Sequence, residues 1–353
     1  MTHRKSIAVA CTILIVLVFG SVAVTNNAST RERTSPTQKT ENHAKTLKTA
    51  PTSISQIKVA KPQDTYDSAP QTKAVTQQDS YDQLVLSDHP AAFWPLNTSS
   101  AQENDLTSNS SSGVYIGGPT ETTSMPNGDA AVTFDGNNQY VSIPSNAAFS
   151  VTTTNELTWE GWIKPTTLQF AHASSTGYVE WMGKCLNYSP SCEWTTRMYN
   201  AVNSQDRCDR LSAYIFNASA GLGSGAFWQP ACNAVKANDW LYVVGEYDDS
   251  VTPPGCNPAY PGSINIWVDG VEWNQKDHAP TGCMSEYNVQ PKAGDSPVTI
   301  GTASRDTWFQ GAIGKVAIYN YLLSSSQIAA HYNTMTGSPP NGSCDATCTS
   351  ASL

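Results

Sequence analysis

Apolar positions alternate with polar or small ones in short runs from residue 84 to residue 319, the period-two mark of strands with one buried face. LTWEGWIKP (157–165), WLYVVGEYD (240–248) and SINIWVDGVEW (263–273) are the strongest of these runs. AAVTFDGNNQYVSIP (130–144) predicts a hairpin: Val132 and Phe134 alternate, Asp135-Gly136 turns, and alternation resumes through Tyr140, Val141 and Ile143. GYVEWMG, RLSAYIF and VTIGTAS add further strands, and YDQLVLSDHPAAFWPL predicts one around Leu84–Leu86 and another around Ala92–Leu96. Gly311–Tyr319 predicts a closing strand with Val316 and Ile318 on one side and Ile313, Ala317 and Tyr319 on the other. Helical periodicity of useful length is confined to Ser325–Tyr332. There Ser324-x-x-Gln327 is a capping-box pattern, flanked by Leu323 and Ile328 in hydrophobic-staple positions. About a dozen short strands and one helix predict an all-β fold, a two-sheet antiparallel sandwich or jelly roll in one domain of about 250 residues.

The pattern fails before residue 81. Residues 1–24 begin with His3, Arg4 and Lys5 and run apolar or small from Ile7 to Val24. Ser21-Val22-Ala23 makes this a signal peptide cleaved after Ala23, and the run is also long enough to serve uncleaved as a membrane anchor. Both readings export the rest of the chain. Residues 25–80 are Thr, Ser, Gln, Lys, Asn and Pro with almost no aliphatic clustering. Too little apolar surface is available there to offset the entropy of ordering, so the stretch reads as a disordered stalk. The domains expected are therefore 1–24 signal or anchor, 25–80 stalk, 81–335 jelly roll and 336–353 a cysteine-containing tail.

Charge sharpens this division. Residues 1–80 hold ten Lys/Arg against five Asp/Glu, and residues 81–353 hold ten against 24. So acidic a domain repels phosphate backbones, which argues against nucleic acid as a partner. Apart from Cys11 in the apolar run there are eight cysteines, and local pairing joins Cys185–Cys192, Cys208–Cys232, Cys256–Cys283 and Cys344–Cys348. No CxxC pair and no His at zinc-ligand spacing accompanies them, so disulfides and an oxidising compartment are expected.

The segments resemble the LamG-like jelly roll of the concanavalin A-like lectin/glucanase superfamily over about residues 81–335. The carriers are HPAAFWPL (89–96), AVTFDG (131–136) with Tyr140-Val141, LTWEGWIKP, WLYVVG (240–245), INIWVDG (264–270), and Phe309-Gln310-Gly311 through His331-Tyr332. The stretches 185–232 and 250–262 depart from it, being longer and richer in cysteine. The resemblance implies two stacked antiparallel sheets in an exported module that binds glycans or proteins, often with one structural calcium, and seldom catalyses.

Three kinds of site are open on these residues. Catalysis of the laminarinase type would need two carboxylates on one strand face; Glu156, Thr158 and Glu160 have the spacing but Thr at the centre. Calcium is expected at Asp105, in the acidic loop after the first strands. Sugar binding needs aromatic faces beside polar groups. Trp94, Trp159, Trp162, Trp240 and Trp267 fall on expected strands and read as core. Trp194, Tyr199, Trp228, Tyr260 and Trp273 fall in or beside the cysteine-rich loops, with Asp206 and Arg207 near them. The expectation is a surface-tethered, non-catalytic module for carbohydrate or glycoconjugate. A protein-binding adhesion module and a glycan-cleaving hydrolase are the alternatives, and membrane contact is expected only through residues 7–24.

Overall fold

The computed structural model describes residues 80–98, 100–186, 191–217, 223–273 and 282–338. The expected signal or anchor, residues 25–79 of the stalk, Cys344 and Cys348 lie outside them. Helix α1 (Ser80–Ser87) leads into β1 (Ala92–Trp94), β2 (Gln102–Glu103), β3 (Gly113–Ile116), β4 (Glu121–Ser124), β5 (Ala130–Asp135) and β6 (Tyr140–Ile143). The middle of the domain is β7 (Glu156–Pro165), β8 (Tyr178–Lys184), β9 (Trp194–Tyr199), β10 (Leu211–Ile215) and β11 (Ser224–Trp228). It closes with β12 (Leu241–Asp248), β13 (Ser263–Val268), β14 (Val271–Glu272), β15 (Val298–Ile300), β16 (Gln310–Tyr319) and helix α2 (Ser325–Thr336).

These strands form two antiparallel sheets, the jelly-roll sandwich expected from the alternation. The first sheet runs β14-β13-β12-β7-β16-β5-β4, with β1 also on β16; the second runs β11-β10-β9-β8-β15-β6-β3-β2. Inward-facing residues of both sheets make one core, where the Trp159 and Trp194 rings stack 4.7 Å apart. Gly245 lies opposite Trp159 on the next strand, and a Cβ there would come within 2.5 Å of the indole. Only glycine leaves room for that ring.

Two expectations are corrected. Residues 84–86 are helical, part of α1, and Tyr81 and Val85 of that helix pack on the outer face of the first sheet. Ile313 faces the inter-sheet core together with Val316 and Ile318. A bulge between Gly314 and Ala317, with Lys315 at a left-handed φ of 54°, resets the alternation. The bulge turns Lys315 to the helix side, where its ammonium lies 2.6 Å from Asp82 of α1 and 2.7 Å from Asp129.

Both helices cover the first sheet's outer face. The capping box of α2 forms as expected: the Ser324 hydroxyl accepts from the Gln327 N–H, and the Gln327 side chain accepts from the Ser324 N–H. Leu323 and Ile328 are both buried there. Beneath the helix, the fully buried carboxylate of Glu160 on β7 accepts from the hydroxyls of Tyr242 and Tyr319. His331 of α2 has a carboxylate at each ring nitrogen, Glu160 at 2.9 Å from Nδ1 and Asp88 at 3.0 Å from Nε2. Only a protonated ring donates to both.

Burial lowers the His331 pKa, but Glu160 and Asp88 together outweigh it and hold the value above that of a free histidine. A raised folded-state pKa stabilises in full below the unfolded pKa of about 6.5, and its contribution is lost as pH rises through the folded value. His331→Gln, measured by urea unfolding, should therefore cost about 3–5 kcal/mol at pH 6 and less at pH 9. A cost that stays constant across that range would contradict a protonated bridge.

Candidate functional site

Helices occupy one outer face of the sandwich; the second sheet's outer face carries a different set of side chains. Strand register lays them out. Across β8, β9 and β10, Tyr178 lies opposite Tyr199, and the Tyr199 N–H donates to the Arg210 carbonyl. In the next row Glu180, Arg197, Ser212 and Phe227 stand side by side on β8 to β11. Thr195 pairs with Tyr214, and Tyr214 with Gly225, beyond them. Alternation produces this face, interrupted by a register shift between Glu180 and Met182: Val179, Trp181, Trp194, Met198, Leu211 and Ala213 point inward from the same strands.

The guanidinium of Arg197 lies 4.1 Å from the Tyr178 ring and 4.4 Å from the Tyr214 ring, and its Nε is 3.3 Å from Glu180. Glu180 is completed by the N–H of Ser304, 3.2 Å from its other oxygen. The Arg210 guanidinium stacks 3.9 Å above Phe227, and its Nε donates to Gln229 at 2.6 Å. Tyr199 and Tyr214 share a hydroxyl contact of 3.3 Å, and Arg207 donates to the Tyr199 hydroxyl at 3.3 Å. Burial raises the Tyr199 phenol, yet Arg197, Arg207 and the hydrogen bond from Tyr214 leave it below its ordinary pKa. Tyr214 goes the other way, raised by burial and then by Tyr199. This is a rigid, electropositive, aromatic face in an acidic domain.

The Cys208–Cys232 disulfide fixes its upper corner. Gln229, the partner of Arg210, donates to the Cys208 carbonyl at 2.8 Å, and Asp209 accepts from the Asn233 N–H at 2.9 Å. Cys185–Cys192 and Cys256–Cys283 also form, so three of the four expected pairs lie within the described residues.

Residues 135–329 match the family model described as the concanavalin A-like lectin/glucanases superfamily. The chain belongs to this family. No curated protein matches it. Among solved structures it is similar to the receptor-binding domain of botulinum neurotoxin C/D mosaic serotype, at 10% identity over 70% of this chain and 51% of that one, TM-score 0.47. It is also similar to domain 4 of AbnA, a GH43 extracellular arabinanase from Geobacillus stearothermophilus, in complex with arabinotriose: 16% identity, 69% of this chain and 98% of that one, TM-score 0.45. A third is Trypanosoma rangeli sialidase in complex with the inhibitor DANA, at 13% identity over 69% of this chain and 32% of that one, TM-score 0.43. The chain thus spans about half the length of the neurotoxin domain that it matches.

Within this concanavalin A-like frame the expected site residues separate. Tyr199 and Arg207 join the face just described. Trp228 and Trp273 come together at the β11 and β14 edges, with ring centroids 6.0 Å apart, and Trp228 packs against the inter-sheet core, not on that face. Tyr260 is half-buried against the inter-sheet core, and Asp206 is exposed on a left-handed turn. Trp194 is a correction: it is fully buried, its ring face is covered by Trp159, and its indole N–H donates to the Phe149 carbonyl. The Glu156–Glu160 pair is another. Alternation does put Glu156, Thr158 and Glu160 on one side, but that side lies under α2, where Glu160 is sealed from any substrate.

Asp105 does not fit calcium. Its two oxygens accept from the N–H groups of Phe93, Thr107 and Ser111 and from the Thr107 hydroxyl, which takes up the lone-pair sites of a carboxylate. Among the described residues no three His, Cys, Asp or Glu side chains gather as a metal cluster.

Tyr178, Glu180, Arg197, Tyr214, Arg210 and Phe227 were not anticipated. Their signal was a charge in the interior of a strand, Glu180 in YVEWMGK and Arg197 in WTTRMY.

Two outcomes are expected. Asp105→Ala should lower stability by about 2 kcal/mol through its orphaned N–H donors, while EDTA leaves the wild-type Tm unchanged. A Tm that falls in EDTA and recovers with calcium would reverse this. Replacing Cys208 and Cys232 by serine opens a loop of 24 residues' separation and should cost about 3 kcal/mol in thermal or urea unfolding.

Proposed function

We propose that this protein is an exported, surface-tethered, non-catalytic module that binds carbohydrate or glycoconjugate through the outer face of its second sheet. The observation that carries the reading is the Tyr178–Arg197–Tyr214 stack. It offers two half-buried aromatic rings, held apart by a guanidinium that is itself pinned by Glu180. A pyranose places its C–H face on such a ring, while its hydroxyls find the tyrosine hydroxyls and arginine N–H groups nearby. The rings are fixed before any ligand arrives, so little side-chain entropy is lost on binding.

Export is supported by the three disulfides, which persist in an oxidising compartment. It is also supported by the basic and apolar start of the sequence. Tethering rests on that same run at residues 7–24, read as an uncleaved anchor ahead of the polar stretch 25–80.

A glycan array probed with the full disulfide-bonded chain tests the reading. Tyr214→Ala should weaken every glycan signal at least tenfold, and Trp240→Ala, on the first sheet, should leave it intact. Binding that survives Tyr214→Ala in a folded protein would place the site elsewhere, and a blank array would reject carbohydrate.

A further inference from the structure

The stack explains a sugar platform but leaves two arginines over. Arg197 is compensated by Glu180. Arg207 and Arg210 have no such salt bridge: among the described residues no carboxylate lies within 4.0 Å of either guanidinium. Arg210 is only 8% exposed and stacked on Phe227, and among the described residues its side chain donates through Nε alone, which leaves both terminal nitrogens without an acceptor there. Arg207 is half-buried and donates once, to the Tyr199 hydroxyl. The acids around this corner are engaged elsewhere or outside salt-bridge reach: Glu180 on Arg197, Asp209 turned to the Asn233 N–H, Asp206 exposed, and Glu286 exposed, its pKa raised by desolvation but with Arg207 near enough to pull it down. Burial and the nearness of Arg207 both lower the Arg210 pKa, so the pair is held together against desolvation and mutual repulsion.

A second observation lies on the same face. Ser212 stands between Arg197 and Phe227 in register, 1% exposed, and its hydroxyl has no hydrogen-bond partner. Thr195, opposite Tyr214, is fully buried with an equally unpartnered hydroxyl. Buried hydroxyls left unsatisfied in the centre of a ring of arginines and tyrosines are uncommon in a purely structural face. They lie sealed directly beneath the face, with no acceptor among the described residues.

We propose that the Arg207–Arg210 corner is a subsite for the carboxylate of an acidic sugar, which lies with its ring on the Tyr178–Tyr214 platform. The inference rests on the carbohydrate-binding reading and narrows it. A carboxylate accepts two parallel N–H bonds from a guanidinium fork, and it offsets two charges that no salt bridge holds, in a half-dry setting where the interaction is strongest. The acidic remainder of the domain, 24 Asp/Glu against ten Lys/Arg in residues 81–353, disfavours densely charged polymers. It leaves room for one localised anion on an otherwise neutral chain.

The test is an array on which each uronate- or sialate-bearing glycan is printed beside its carboxyl-reduced twin, with sulfated versions in a third column. The full disulfide-bonded chain should prefer the carboxylate over its reduced twin at least tenfold. Arg207→Gln and Arg210→Gln should each remove that preference, so that the acid and its reduced twin bind equally. Arg207→Lys should restore it in part, because charge returns without the fork. Equal binding of acid and reduced twin would overturn the subsite and leave the carbohydrate reading standing. A preference for the sulfated column that Arg207→Gln does not reduce would also overturn it. No glycan bound at all would overturn both. If Arg210→Gln fails to fold, as seen in a lost thermal transition, the exposed-side variant Arg207→Gln still decides the question.

Discussion

The bridge from Asp88 through His331 to Glu160 is the constraint on which the architecture turns. Glu160 sits in the middle of β7, a central strand of the first sheet, and would be an uncompensated buried charge on its own. His331 comes from the last described helix and Asp88 from the turn just after the first one. One imidazolium therefore fastens the opening and closing segments of the domain onto its centre. Lys315 repeats the device a few residues before α2, with Asp82 and Asp129 as its partners. Closure of the sandwich is thus an electrostatic event as much as a hydrophobic one, and it consumes the centre of the outer face of one sheet.

That consumption decides where function can lie. With α1 and α2 over the first sheet, the second sheet's outer face is the broad strand surface that no described helix covers. The two faces use the same sequence device, a charged residue on the outward side of a buried strand. On the first sheet the charge is closed over by tyrosines and a histidine. On the second, Glu180 and Arg197 are neutralised side by side and tyrosine rings are left half-exposed around them. Identical periodicity in the sequence therefore hides two opposite roles, and only topology separates them.

The fold was legible for that reason and most of the site was not. Alternation in LTWEGWIKP, WLYVVGEYD and SINIWVDGVEW, and the Ser324–Gln327 capping box, are local signals, and the structure keeps them. What failed also has local causes. The stretch around Leu84 has helical neighbours in α2 and a lysine partner 233 residues away, neither visible in a window of ten residues. The bulge at Lys315 shifts the alternation that placed Ile313 wrongly. Trp194 stood beside Cys192 and looked like a loop residue, yet β9 begins there and turns its ring inward against Trp159. Tyr199 and Arg207 were singled out because they flank that cysteine-rich region, whereas Tyr178 and Tyr214 lie on separate strands that meet only across β9.

Cysteines and arginines on this face are linked by the same logic. Arg207 and Arg210 flank Cys208, and the Cys232 end of that disulfide carries Asn233, which holds Asp209. Gln229 then bonds both the Cys208 carbonyl and Arg210. Left as an open loop, two guanidiniums would move apart into water, where each is better hydrated and neither repels the other. The covalent closure removes that freedom from the chain before folding is complete, and the hydrogen bonds of Gln229 and Asn233 set the final orientation. Under the proposed reading, this corner is where an anion would be favoured. The cysteine-rich insertion therefore reads as the part of the domain that converts a common sandwich face into a specific one.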